Sequence, residues 1–387
     1  MIIHPLVKPK NSRRPLPGTH QDIKLMIGPK ILKILKTVIA FIFHCRVFVG
    51  VRPDSTDAPA IIFFPLSFNR LYCGFAGLMT CNLPGKSPKT RVDLSLSDVW
   101  EKMKNAGLQN ILSEGKPAAT YLNSVDTLQQ LDVIVAGFKR EETQSCLFFQ
   151  ADQSVNLSHI VEEMKLFLEN EEKKLEEQTV VIDSVDLETI NSRLISLKDI
   201  CWILEKDILA NLQKILLLSG TENKSAVSPA AFRKYRKLNL LLNALDRLEV
   251  RGRDSAGIQL TFVLKNEKIL DSILRQITIN GWEDDFRNRT QKGDLLNRSI
   301  FMSTGRENDD GTVSVTFTYK TFSIVGELGR NVAELRHVIQ CDPILQSFAA
   351  EESVCETALT HTRWASVGSI TEENCHPVNN YTIIPST

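Results

Sequence analysis

Residues 361–366 read His-Thr-Arg-Trp-Ala-Ser, and residues 374–377 read Asn-Cys-His-Pro. Two earlier segments give this stretch its meaning: Cys-Gly-Phe-Ala-Gly at 73–77 and Arg-Gly-Arg-Asp-Ser-Ala-Gly at 251–257. Glycines let backbones and ligands approach closely, while the cysteine and arginine side chains can react with a ligand or hold its charge. These residues are therefore the candidates for a functional site.

Composition places the chain among ordinary globular proteins. Of the 387 residues, 43% are hydrophobic and 24% are charged, and 46 basic residues balance 46 acidic ones. This balance gives no indication of a nucleic acid or an anionic membrane as a partner. The eight cysteines are scattered and form no Cys-x-x-Cys pair, which argues against a zinc ribbon and a disulfide-stapled secreted domain. We predict a protein of the reducing cytoplasm.

Residues 1–72 lack the pattern of a folded domain. The apolar run at 37–43 is interrupted by His-Cys-Arg at 44–46, whereas a bilayer span needs about 20 largely apolar residues. A signal peptide would begin nearer the N-terminus and end in small residues. We expect a poorly ordered leader or a propeptide-like extension, and no membrane segment.

Residues 82–231 are predicted to be mostly helical and to form a small subdomain of their own. Two helices should pair as an antiparallel hairpin around residues 178–184, and Gly220 should end the second helix. One apolar stripe consists of Leu157, Ile160, Val161, Met164 and Leu168. The other, close to a heptad seam, consists of Leu187, Ile190, Leu194, Leu197, Cys201, Leu204, Ile208, Leu212 and Ile215.

The remaining residues alternate between strand and helix patterns. Ser228-Pro229 should begin a helix as N-cap and first residue, and residues 258–265 and 312–324 alternate as half-buried strands do. The polar segment 283–311 should be a long surface loop or lid. Residues 328–345 should form a helix that ends near Asp342-Pro343.

The quoted segments resemble the glutaminase domain of class II glutamine amidotransferases, most closely that of the glucosamine-6-phosphate synthases. The resemblance covers residues 73–81, about 232–264 and about 322–381. It implies an α+β fold, the four-layer αββα sandwich of the N-terminal-nucleophile hydrolases. Residues 73–81 would be the first strand, 82–231 an insertion, and 232–387 the remainder, with a second insertion near 265–320.

The resemblance also implies a context for the chain. The sandwich should continue beyond the sequence given, and two sugar-isomerase domains should follow it, so we expect an N-terminal fragment of a protein that is a homodimer at full length. Its reaction would hydrolyse L-glutamine and deliver ammonia to fructose 6-phosphate, without a cofactor. Relatives that use phosphoribosyl or aspartyl acceptors are disfavoured by the His-Thr-Arg-Trp sequence.

Cys73 would be the nucleophile by this resemblance. An α-amine titrates near pH 8 and can accept the thiol proton, but only if Cys73 is the first residue of the mature chain. Here Cys73 is internal and follows Tyr72. The chain is therefore a zymogen cut between these residues, a sequence read from a misplaced start, or an inactive protein.

Arg363 would bind the glutamine α-carboxylate, because a planar guanidinium can hold a carboxylate with two hydrogen bonds. Trp364 and Ser366 would line the same loop. The family more often has Thr-His where this chain has Ser366-Val367. Arg251 and Asp254 would form a buried pair that supports the nucleophile strand, although an ordinary ion pair fits the same residues.

His376 would belong to the supporting residues as well. A metal site built from His361, Cys375 and His376 is disfavoured, because adjacent ligands are awkward and no fourth ligand is evident. The basic run at 233–237 is predicted to be a solvated helix face rather than a nucleic-acid site. The competing hypothesis is a non-catalytic interaction protein, favoured by the internal Cys73 and the large helical insertion.

Overall fold

The chain folds around one antiparallel sheet. A computed structural model describes residues 61–62, 74–81, 96–177, 182–291, 295–303, 311–323, 327–365 and 369–378, and all of these belong to one compact unit. The leader residues 1–60, Cys73 and Ser366 lie outside the described residues. Within the described part, no helix is long and apolar enough to cross a bilayer.

The sheet has six strands in the order β1-β2-β6-β3-β5-β4, and every neighbouring pair is antiparallel. Strand β6, near the C-terminal end of the sequence, lies between β2 and β3. The strands are β1 (Ile61–Ile62), β2 (Gly74–Cys81), β3 (Ser255–Leu264), β4 (Ile300–Ser303), β5 (Val313–Phe322) and β6 (Cys355–Arg363).

Twelve α-helices occur in the described residues. They are α1 (Leu96–Lys104), α2 (Leu108–Ser113), α3 (Val125–Phe138), α4 (Glu141–Phe149), α5 (Ala151–Glu176), α6 (Ser184–Trp202), α7 (Ala210–Leu218), α8 (Pro229–Leu248), α9 (Glu267–Ile279), α10 (Glu283–Arg289), α11 (Arg330–Gln340) and α12 (Pro343–Ala349). A π-helical segment, Ile203–Leu209, joins α6 to α7. Short 3₁₀ segments occupy Ala118–Asn123, Lys224–Ala226 and Glu249–Arg251.

One face of the sheet carries the main apolar side chains. Strand side chains alternate between faces, so buried Leu78, Leu260 and Ala358 share the face on which α8 lies. Helix α12 packs on the same face, where the rings of Phe317 and Phe348 lie 5.4 Å apart. The α+β class is therefore confirmed, with one sheet among the described residues.

The predicted helical hairpin is confirmed. Helices α5 and α6 run antiparallel, because Glu172 of α5 pairs with Lys198 of α6, while the earlier Lys165 of α5 pairs at 2.8 Å with Glu205, which follows α6. All five residues of the first stripe are buried, and so are eight of the nine in the second. Leu187 is the exception, with 38% of its surface exposed. Gly220 follows α7 with φ of +70°, the left-handed conformation that ends many helices.

The start of α8 is also as predicted. The Ser228 hydroxyl accepts a 3.1 Å hydrogen bond from the Ala231 backbone N–H, and Pro229 occupies the first helical position. Such a cap supplies a partner for a backbone N–H that the helix leaves unpaired. Helix α8 then contacts β2, β6 and the helices α7 and α12, so it lies between the sheet and the helices that precede it.

The prediction of one surface loop over residues 283–311 is wrong in part. This segment contains α10 and β4. Arg289 at the end of α10 makes a two-bond ion pair with buried Asp342, at 2.9 and 2.5 Å, and Tyr319 donates to the same carboxylate at 2.6 Å. The chain is anchored here by buried charge, which the polar composition of the segment did not indicate.

The interpretation of residues 233–237 as a solvated face is wrong as well. Lys234 and Lys237 are both only 5% exposed. The Lys237 ammonium donates to Glu356 of β6 at 2.7 Å, and Lys234 donates to the backbone carbonyls of Ala349 and Glu351. The end of α12 and strand β6 cover this side of α8, so the basic run is a buried packing element.

Candidate functional site

Three of the four segments identified in the sequence meet at one corner of the sheet. Gly74 of β2 pairs with Thr362 of β6, and Ser255 of β3 pairs with Arg363. The Gly74 N–H also donates to the Thr362 hydroxyl at 3.0 Å. The β-strand register thus brings the residue after Cys73 next to the His-Thr-Arg-Trp segment. Cys73 itself lies outside the described residues.

Asp254 fixes the backbone around Trp364. Its N–H donates to the Arg363 carbonyl at 3.1 Å, and its carboxylate accepts from the Ala365 N–H at 2.6 Å. Gly252 makes a close approach to the same segment, because a Cβ there would lie 2.7 Å from the Arg363 carbonyl carbon. Asp254 therefore acts on the loop after β6.

Arg251 does not take the role expected for it. Its side chain is exposed, and no ion pair joins it to Asp254 among the described residues. The predicted buried Arg251–Asp254 pair is therefore wrong. Asp254 lies in the corner, whereas Arg251 ends a 3₁₀ segment at the surface.

Arg363 and Trp364 lie at the surface of this corner. The Arg363 guanidinium is half-buried and donates from Nη1 to the Asn374 carbonyl at 3.0 Å. Trp364 is 38% exposed, and the Arg253 guanidinium lies 5.6 Å from the centre of its ring, a cation–π contact. Both side chains are accessible to a ligand, while Ser366 lies outside the described residues.

The Asn-Cys-His-Pro segment crosses the sheet at Gly257. A Cβ at Gly257 would lie 1.8 Å from the His376 carbonyl oxygen, so only glycine leaves room for the loop. The His376 ring lies 4.5 Å from the His361 ring, centre to centre. All four segments found in the sequence therefore contribute to this corner.

The two histidines are neutral at pH 7. Burial, together with the smaller effects of His376 and Arg363, lowers the pKa of His361 to about 3. Desolvation, followed by the charges of Arg363 and Lys320, also lowers the pKa of His376. Arg363, Lys320 and Arg253 are cations of the corner. They outnumber the carboxylates of Asp254 and Glu372, an environment that suits an anionic ligand.

The corner does not have the ligand set of a metal centre. The Cys375 thiol donates to the carbonyls of Thr371 and Thr321, at 3.1 and 3.7 Å, and burial raises its pKa. A metal ligand needs a thiolate. Across the described ranges, no group of three or more His, Cys, Asp or Glu side chains could hold a metal ion.

Sequence reasoning missed three residues of this corner. Lys320 pairs across β3 in the same row as His361, because both residues are opposite Gly257. Glu372 and Asn297 contact each other and Lys320. Strand alternation in 312–324 could have placed Lys320 on the correct face, but no local pattern indicates the other two.

Comparison of the chain with protein-family models, curated proteins and solved structures gives no match. The fold and the geometry of the corner define the class as an α+β protein with a cationic, histidine-containing site on the sheet. The amidotransferase resemblance rests on the sequence segments themselves.

Proposed function

We propose that the chain carries a glutaminase site of the glutamine amidotransferase kind. The observation that supports this most is the convergence at one sheet corner of Gly74, Arg363, Asp254 and the 374–377 loop. These residues come from segments far apart in the sequence, and they are the segments that carry the resemblance. Gly74, the residue after Cys73 in the sequence, lies on the strand next to the one that ends at Arg363, which is what the proposal requires.

In the proposed reaction, Cys73 attacks the side-chain amide carbon of L-glutamine. Its α-amine, free only when Cys73 is the first residue, accepts the thiol proton and returns it to the departing ammonia. Water then hydrolyses the thioester to glutamate. Arg363 holds the α-carboxylate with two hydrogen bonds, and Trp364 forms an apolar wall beside it. Asp254 holds the backbone that carries both.

The further parts of the proposal follow from the resemblance. The described sheet, with α8 and α12 on one face, would supply one half of an αββα sandwich. The ammonia would aminate fructose 6-phosphate on sugar-isomerase domains, to make glucosamine 6-phosphate in the cytoplasm, and the whole enzyme would be a homodimer. No cofactor takes part in this chemistry.

Substitution of Arg363 tests the proposal. In a protein whose first residue is Cys73, Arg363→Ala should raise the KM for glutamine by about 10- to 150-fold, because loss of a charged hydrogen-bond partner costs about 1.5–3 kcal/mol. Arg363→Lys keeps the positive charge but cannot make two parallel hydrogen bonds to a carboxylate. Its KM for glutamine should therefore lie between those of the original protein and Arg363→Ala. Arg330→Ala, which removes an exposed arginine on α11, is the control and should leave KM unchanged. An unchanged KM in Arg363→Ala would exclude the carboxylate role.

A second candidate function, a non-catalytic interaction protein, is favoured by one feature of α6. Ile195 and Trp202, seven residues apart on its outer face, are 59% and 52% exposed. Seven residues are about two helical turns, so both side chains lie on one side of the helix. This function would be preferred if the protein beginning at Cys73 neither hydrolyses glutamine nor reacts with a glutamine-like electrophile.

A further inference from the structure

The loop of residues 369–378 is attached to the sheet through a residue outside the quoted motifs. The Glu372 carboxylate accepts a hydrogen bond from the backbone N–H of Asn297. The Glu372 carbonyl accepts from the Lys320 ammonium at 3.4 Å. Asn297 and Lys320 are themselves joined, since the Asn297 side-chain oxygen accepts from the Lys320 N–H at 3.0 Å. Glu372 thus connects the loop to β5 and to the turn before β4.

These contacts continue into the candidate site. The Cys375 N–H donates to the Glu372 carbonyl at 3.1 Å, which closes a tight turn. The turn contains Asn374, whose carbonyl accepts from Arg363. A displacement of Glu372 would therefore move the acceptor that orients the Arg363 guanidinium, and with it the His376 ring.

We propose that Glu372 is a positioning residue that holds the 369–378 loop on the sheet and thereby orients Arg363 toward a carboxylate ligand. Its action is indirect, through the turn and the Asn374 carbonyl. A carboxylate that accepts from a backbone N–H makes a strong, charge-assisted hydrogen bond, which suits a residue that must fix a loop. The part of this inference that concerns glutamine rests on the proposed function, whereas the attachment of the loop does not.

The chain offers a matched control for this residue. Glu373 is adjacent, has the same side chain, and is exposed. The test compares Glu372→Ala, Glu372→Gln and Glu373→Ala in the full chain. Circular dichroism and the thermal midpoint first establish that each variant is folded. Glu372→Gln keeps an oxygen that can accept a hydrogen bond from the Asn297 N–H. It should therefore retain much of the loop attachment that Glu372→Ala loses.

The first measurement is independent of activity. Hydrogen exchange of the loop amides and an NMR titration of ring-labelled histidine, assigned with His376→Gln, report whether the loop stays on the sheet. In Glu372→Ala, the loop amides should exchange about tenfold faster, because the loop is then more often in the open state from which exchange occurs. The pKa of His376 should rise toward 6.5, because the partial burial and the nearby cations Arg363 and Lys320 that lower it are lost. Glu373→Ala should behave as the original protein.

The second measurement is the KM for glutamine in the same variants, after release of a chain that begins at Cys73. Glu372→Ala should raise KM about tenfold with kcat within about twofold, since the binding geometry is lost but the nucleophile is not. Unchanged exchange and titration in Glu372→Ala would overturn the inference. A mobile loop with an unchanged KM would overturn the role in orienting Arg363. If Glu372→Ala has a mobile loop but the original protein does not hydrolyse glutamine either, the role of Glu372 in attaching the loop is supported. The glutaminase function is then rejected.

Discussion

At the scale of single residues, Lys234 shows how burial changes the pKa of a side chain. Burial lowers its pKa to about 8, although the charges of Glu356 and Glu352 oppose this. Two backbone carbonyls, of Ala349 and Glu351, accept from its ammonium. A buried charge without full compensation costs stability, so Lys234 should link folding to pH.

The expected direction follows from the two pKa values. Between about pH 8 and the ordinary 10.5, the unfolded chain binds a proton that the folded chain does not. The free energy of unfolding therefore rises with pH across this window, by up to about 1.4 kcal/mol per pH unit. The stability gained from neutral Lys234 is fully present above pH 10.5 and is lost as the pH falls through about 8.

Urea denaturation at several pH values between 8 and 10 checks this prediction in the original protein and in Lys234→Met. The free energy of unfolding of the original protein minus that of Lys234→Met should increase with pH. Lys173→Met is the control, because Lys173 lies on α5 with its side chain 71% exposed, and its difference should stay flat. A flat difference for Lys234→Met would contradict the account.

Residue-scale environments were the least predictable from sequence. A helix with lysines among its polar positions indicates a solvated face only if nothing packs there, and the covering α12 and β6 come from residues more than a hundred positions away. For Arg251 the error was the opposite one. The motif predicted a buried side chain, but the side chain is exposed. Asp254, in the same motif, lies in the corner but bonds to the segment after β6 rather than to Arg251.

At the scale of elements, local patterns predicted the longest helices. The stripes of α5 and α6 and the cap of α8 are encoded within a few turns of sequence, so spacing and capping residues were sufficient. The four-residue strand β4 and the seven-residue α10 were missed because each spans only about two periods of its pattern, too few to stand out in the sequence. Their stability comes instead from long-range contacts such as Arg289 with Asp342.

Gly257→Ala tests how the 369–378 loop packs on β3. The added Cβ would overlap the His376 carbonyl oxygen, so the loop or the strand must shift. We expect a loss of about 1–3 kcal/mol in the free energy of unfolding, typical of an overpacked contact.

Gly137→Ala, measured in the same denaturation series, is the matched control. Its added Cβ meets nothing within 4 Å in α3, so the change should be neutral or stabilising by up to about 1 kcal/mol. Equal stability of the two variants would show that the loop does not lie against Gly257.

At the scale of the whole molecule, the sheet joins the two ends of the described chain. Strand β2, which begins one residue after Cys73, pairs along its full length with β6. No local pattern contains this pairing, because strand register between distant segments depends on the whole sheet. The order of the four segments and their resemblance to the amidotransferases indicated that they meet, but the strand order and the Glu372 contacts required the structure.

The central claim is that Cys73 acts as the first residue of a mature chain. The direct measurement is the intact mass and N-terminal sequence of the protein from its native host, before and after exposure to diazo-oxo-norleucine, an electrophile that mimics glutamine. We expect a chain that begins at Cys73 and gains one covalent adduct on that residue. A chain that keeps residues 1–72 and remains unmodified would contradict it.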